Sequence, residues 1–266
     1  MKKLVLTLII FVVAFSQVKS QETTEEYSDL FNQKFTGELA YETTSFVEKY
    51  WRVAGNTGFN KTIYKVAKQL ENDGYVLEKN STAKDHLTYR IETRDLDSPT
   101  WEPVNATVSI IGEKEPLLVY ATNRNMIALN SFSTPKKGVT AELIHIRDLK
   151  KLKTTNVKGK IVFAESSPRS LYEATVNNGG AVGIITYDNP KYLQPEVNVT
   201  SIQFRSIPLD TVHKAWGIAL SFEAKEHLLA ALAKGKVSLN VDIQTKIYES
   251  KELTIIADVK GCELPS

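Results

Sequence analysis

NVKGKIVFAESSPRSLYEATVNNGGAVGIITY, residues 156–187, decides the fold. Val157-Lys158-Gly159-Lys160 makes a turn into the apolar strand Ile161-Val162-Phe163-Ala164. Ser170 to Asn178 reads as a helix, Gly179-Gly180 ends it, and Ala181 to Tyr187 is a second apolar strand. Asp188-Asn189-Pro190 is turn chemistry. Gly179, Gly180 and Gly183 resemble part of a dinucleotide fingerprint, but they run from helix to strand. A pyrophosphate loop runs from strand to helix, so that the N–H groups of the helix start face the phosphate. The glycines are therefore read as a helix end.

Around this unit, from Pro116 onward, the chain carries many short strands: Leu117 to Ala121, Val139 to Ile146, and Trp216, Ile218 and Leu220 alternating with small residues. Ser221 is placed to cap a helix whose Leu228, Leu229 and Leu232 share one side and which Gly235 closes. Val237, Leu239, Val241, Ile243 and Ile247 then form one face of a strand, with Ser238, Asn240, Asp242 and Gln244 on the other. The last element, Leu253 to Val259, is apolar on both faces, the pattern of a strand buried between two layers. The sequence ends at Ser266, so this strand is expected to lack a sheet to join. Before Pro116, a helix is expected over Thr44 to Trp51 and another over Asn60 to Gly74. In the second, Ile63, Val66, Ala67 and Leu70 make the apolar face, Asn60 the cap and Gly74 the stop. Tyr75-Val76-Leu77, Leu87 to Thr93 and Thr107 to Ile111 read as strands, with Asp97-Ser98-Pro99 as a break. Residues 21–40 are polar and read as a loosely held leader.

The N-terminus reads as a secretory signal. Lys2-Lys3 precede the uncharged run Leu4 to Phe15, and Val18-Lys19-Ser20 gives a small-residue exit, with cleavage expected after Ser20. The run is shorter than the ~20 residues a spanning helix needs, and no later segment is apolar enough to span. Secreted or periplasmic localisation is the expectation. Lys+Arg 33 against Asp+Glu 31 gives +2; without Lys2, Lys3 and Lys19 the balance becomes slightly acidic. No electrostatic footprint for nucleic acid remains. Cys262 is the single cysteine, so no internal disulfide forms, and a packed core must supply stability.

Searched for chemistry, the sequence offers no catalytic, cofactor or metal residue. His86, His145, His213 and His227 form no H-E-x-x-H pair. Asp210 and His213 lie three apart in an expected loop, too few ligands for zinc. There is no G-x-S-x-G elbow, Cys262 has no evident His partner, and Glu25-Glu26 lie in the leader. Four N-x-S/T sequons start at Asn60, Asn80, Asn105 and Asn198.

Three stretches carry a family resemblance. Arg52-Val53-Ala54-Gly55-Asn56, followed by the helix to Asp73 and Gly74-Tyr75, resembles the opening of secreted zinc aminopeptidases of peptidase family M-twenty-eight. Residues 156–164, Glu173-Ala174 and 179–185 resemble the protease-associated domain, and Leu253 to Gly261 the strand by which such peptidases re-enter their catalytic domain. The resemblance implies an α+β, mixed chain. Residues 1–20 are the signal, 21–40 the leader, 41–115 the first helix and strands of a peptidase-like α/β domain, 116–247 an inserted β-rich protease-associated domain with flanking helices, and 248–266 the truncated re-entry strand. It further implies peptide or protein partners, association through an unpaired last strand, and zinc only in a longer relative. The family's ligands come from an H-x-D step, a D-N-x-S-G stretch, a Glu-Glu pair and a later acid or His, all after the re-entry strand. Asp188-Asn189 runs on into Pro190-Lys191 and is not that motif. This chain is thus expected to be the non-catalytic part of such an enzyme, inactive alone. The alternative is a free-standing exported binding module.

Overall fold

The computed structural model describes residues 24–261; the signal segment, its cleavage point after Ser20, and Cys262 lie outside the described residues. The chain divides into two compact units, Met1–Tyr50 and Trp51–Ser266.

In the first unit, residues 24–34 form helix α1 and Glu38–Val47 form α2, with Gly37 in the left-handed region (φ 78) between them. Residues 24–34 of the expected leader are therefore helical. Tyr27, Leu30 and Phe31 recur at helical spacing among its acids, and the Phe31 and Phe35 rings stack at 5.1 Å. The helix expected over Thr44 to Trp51 starts earlier, at Glu38, and stops at Val47.

The second unit holds two sheets. The larger has the order β4 (Leu118–Val119), β3 (Thr100–Ile110), β9 (Ser238–Tyr248), β5 (Val139–His145), β6 (Ile161–Ala164), β7 (Gly183–Thr186) and β8 (Gly217–Ala219). β5 to β8 run parallel, while β9 is antiparallel to both β5 and β3. The parallel part is covered on both sides. Ile161 and Phe163 of β6 enter one apolar cluster with Val241, Ile243, Ile218 and the α5 (Phe222–Lys234) residue Leu228. Val162 and Ala164 enter another with Leu171, Tyr172, Val176 and Ile207. All four β6 residues are fully buried, as a strand between two layers requires. The helix following β6, α4 (Pro168–Tyr172), continues as a π turn over Glu173–Asn177, and Gly180 N–H closes on Val176 O at 3.0 Å. A Cβ on Gly183 would fall inside the Trp216 indole, so close packing of β7 on this ring requires glycine.

β3 is longer than the Thr107 to Ile111 expected. Pro103 and a register shift between Pro103 and Asn105 break the alternation that would have revealed its first half. Its pairing with β9 carries the large sheet upstream of residue 116, to Thr100. Ser221 caps α5 as expected, its Oγ accepting from Ala224 N–H.

The smaller sheet has the order β1 (Val76–Leu77), β2 (Leu87–Asp95) and β10 (Lys251–Val259). Here the expectation for the last strand is corrected. β10 does find a sheet: it pairs antiparallel with β2 along its whole length, Lys251↔Asp95 to Val259↔Leu87. Nor is it buried between layers, since Leu253, Ile255 and Ile256 are half-buried and Val259 is exposed.

Helix α3 (Thr57–Asn72) starts at Asn56, not at Asn60. The fully buried Asn56 Oδ1 accepts from Phe59 N–H (2.8 Å), and its Nδ2 donates to Trp101 O of β3 (3.2 Å). Gly55, at φ 78, packs against the β10 backbone, where a Cβ would meet Lys251 O at 3.0 Å, and Ser250 Oγ donates to Gly55 O at 2.7 Å. Asn60 instead lies within the helix, its Oδ1 buried without a partner. Beside the cap, Glu102 Oε2 accepts from Thr57 Oγ1 (2.8 Å) and Tyr248 OH (2.8 Å). Burial pushes the Glu102 carboxyl up, but these hydrogen bonds outweigh it and hold its pKa below the usual range.

Asn56→Ala removes the cap and strands Trp101 O, and is expected to lower stability by about 2–4 kcal/mol in urea unfolding. For Glu102, a depressed folded pKa gives stability that is present above the unfolded value near pH 4.3 and is lost as pH falls through the folded one. The stability difference between the protein and its Glu102→Gln variant should therefore be constant above about pH 5 and shrink below about pH 4.

Candidate functional site

The small sheet presents the surface with the clearest functional geometry. β10 lies at its edge, so the N–H and C=O groups on its outer side have no strand partner among the described residues. Its inner side is fixed by charge. Lys251 bonds Asp95 (3.1 Å), Arg94 pairs with Glu252 directly opposite, and Arg90 donates to Asp258 (2.9 Å). These pairs hold one register, since a slip by one residue would break each of them and turn every side chain to the other face. Between α3 and this sheet is a cavity of about 550 Å³, lined by Tyr64, Ala67 and Glu71 of the helix and by Leu77, Tyr89 and Ile91 of the strands. Tyr89 OH donates to Glu71 Oε1 at 2.7 Å; this bond and the Lys68 ammonium lower the Glu71 pKa.

The four histidines lie apart. His86 is exposed before β2. His213 Nδ1 lies 2.7 Å from Asp210 Oδ2, which also accepts from Tyr172 OH at 3.2 Å. The Asp210–His213 spacing thus does bring the two together, as a turn in which Asp210 Oδ1 accepts the N–H groups of Val212 and His213. His227 Nε2 pairs with Glu113 at 2.8 Å. His145 ends β5, its ring stacked 4.8 Å from Phe163. Among the described residues, no three His, Cys, Asp or Glu side chains converge as metal ligands. No donor set among the described residues fits the zinc that the family resemblance implies for a longer relative. No helix among the described residues is long and apolar enough to cross a membrane.

One cation escaped the sequence reading. Lys225 of α5 is only 8% exposed, with Nζ 4.6 Å from the ring centroids of both Tyr187 and Phe222, 2.7 Å from Glu226 and 3.9 Å from Glu165. The Phe222–Lys225 spacing (i, i+3) was visible; Tyr187, directly after β7, was not.

Of the sequons, Asn60 is inside α3, while Asn80, Asn105 and Asn198 are exposed.

Putting a like charge into the β2–β10 ladder tests its role. Glu252→Lys, opposite Arg94, is expected to lower stability by about 0.5–1 kcal/mol, with most of the loss recovered in the double variant carrying Arg94→Glu, as a double-mutant cycle in urea would read.

No protein-family model and no curated protein matches the sequence. Solved structures do. A peptidase precursor of family M-twenty-eight from Shewanella amazonensis aligns over 85% of this chain and 53% of its own, with 18% identity and a TM-score of 0.50. A zinc aminopeptidase from Bacillus subtilis aligns over 84% and 47%, with 18% identity and a TM-score of 0.50. An aminopeptidase from Aneurinibacillus sp. strain AM-1 aligns over 85% and 48%, with 19% identity and a TM-score of 0.46. The chain spans about half the length of the solved structures it matches. The described residues form a mixed α/β structure that resembles part of a peptidase fold.

Proposed function

We propose that this chain is the N-terminal, non-catalytic part of a secreted zinc-dependent aminopeptidase. In this reading α3 and the small sheet begin the peptidase domain. The large sheet is the protease-associated module, which gates substrate access or contacts other proteins. β10 returns the chain to the peptidase sheet, and its outer edge receives the next strand of the catalytic half, where the zinc ligands reside. The observation that carries the reading is β10 itself: a nine-residue strand, locked in register on one side and open on the other. A fold likeness extending over only about half of each matching peptidase supports it. A long open strand edge is a template for further pairing, which an isolated chain would satisfy by self-association.

The test is the size of the native protein, by blot with an antibody to residues 116–247. A species far heavier than 29.8 kDa that co-purifies with chelator-sensitive aminopeptidase activity is expected. The purified 266-residue chain is expected to hydrolyse no aminoacyl substrate, with or without added zinc. A native species no heavier than 29.8 kDa would sink the reading and favour a free-standing exported binding module.

A further inference from the structure

The parallel strands of the large sheet gather charged side chains at their carboxyl ends, the side of an open α/β sheet where ligands characteristically bind. At the ends of β5 and β6 a cavity of about 330 Å³ is lined by His145, Ile146, Arg147, Leu149, Glu165 and Leu229. Its volume is at the small end of ligand pockets. Three properties of the lining point to one class of ligand.

First, two donors stand together. Arg147 is exposed, and among the described residues its guanidinium makes no hydrogen bond or ion pair. His145 Nδ1 is sealed from solvent with no hydrogen-bond partner. A buried bare acceptor is tolerated better than a buried orphan N–H, so the ring proton belongs on Nε2. Burial, then the Arg147 charge, holds the His145 pKa below the ordinary histidine range, so the ring is neutral at neutral pH and keeps this single N–H. Second, an acceptor faces the same space. Glu165 is half exposed, and its nearest cation, Lys225, lies 3.9 Å away and is held more closely by Glu226 at 2.7 Å. Third, the wall between these charges is aliphatic: Leu149, 49% exposed, with Leu229 and Ile146 completing the surface.

We propose that this cavity binds a free α-amino acid with an aliphatic side chain. Its carboxylate rests on Arg147 and His145 Nε2, its ammonium on Glu165, and its side chain against Leu149 and Leu229. A bare carboxylate would leave Glu165 opposed by a like charge, and a bare amine would leave Arg147 unpaired. A zwitterion satisfies both. The proposal does not rest on the aminopeptidase reading, because binding is measured on this chain alone.

The experiment is calorimetric titration of the purified chain with L-leucine at pH 7.5. N-acetyl-L-leucine, L-leucinamide and the dipeptide Leu-Gly serve as ligand controls. Arg147→Ala and Glu165→Gln, both at the exposed rim, serve as protein controls, with circular dichroism to confirm folding. Leucine is expected to bind with Kd of about 1 mM. Each blocked ligand and each variant is expected to bind at least about tenfold more weakly. No leucine binding to the folded chain, binding unchanged in both variants, or N-acetyl-leucine or Leu-Gly binding as well as leucine would each overturn the proposal.

Discussion

The hydrogen-bond pair of one buried amide holds the second unit together. Asn56 starts α3 with its oxygen and grips Trp101 O near the start of β3 with its nitrogen, while Gly55 beside it lies against the backbone of β10. β3 belongs to the large sheet and β10 to the small one, so a dipeptide ties a helix to both sheets at their junction. Around it the aromatic packing is continuous. Trp101 donates to Ser131 O, and Trp51 packs edge-on against Trp101 at 5.1 Å while donating to Arg124 O. Each indole N–H is satisfied, so these large side chains bring apolar area into the interior without a stranded polar group.

Much of this was legible in the sequence. The 156–187 unit reads correctly because its signals are local: a turn before β6, a helix, a glycine pair, then β7. The Ser221 cap and the period-two pattern of β9 read correctly for the same reason. The errors share a different cause, since they sit where a distant partner decides. Asn60 and Asn56 both satisfy the chemistry of a cap, and only Trp101, 45 residues away, selects Asn56. The first half of β3 is hidden by a proline and a bulge that only its pairing with β9 reveals. The apolar look of Leu253 to Val259 suggested two covering layers; the structure instead gives it one partner strand, β2, and charge pairs across the rungs.

The candidate sites divide in the same way. The Asp210–His213 contact follows from a local spacing. The cavity at the ends of β5 and β6 does not, because His145 and Glu165 are 20 positions apart and Leu229 comes from another element altogether. What places them together is the parallel pairing of β5 with β6 and the packing of α5 on the sheet, neither of which a one-dimensional pattern states. Lys225 shows the same limit, since its aromatic surroundings come from the end of β7 as well as from its own helix.

The central place of β9 sets the order in which this unit can be completed. It is the strand that joins the antiparallel pair β4–β3 to the parallel ribbon β5–β8, yet it is almost the last to appear in the chain. β3 must wait for a partner more than a hundred residues downstream, and so must the small sheet, whose β2 waits for β10. A nascent chain therefore carries the long β3 with an open edge until nearly all of residues 100–259 exist. Closure of such distant loops delays folding. During that interval the unit depends on its bulge, its proline and the charged rungs of β2 to keep exposed edges from pairing with another chain.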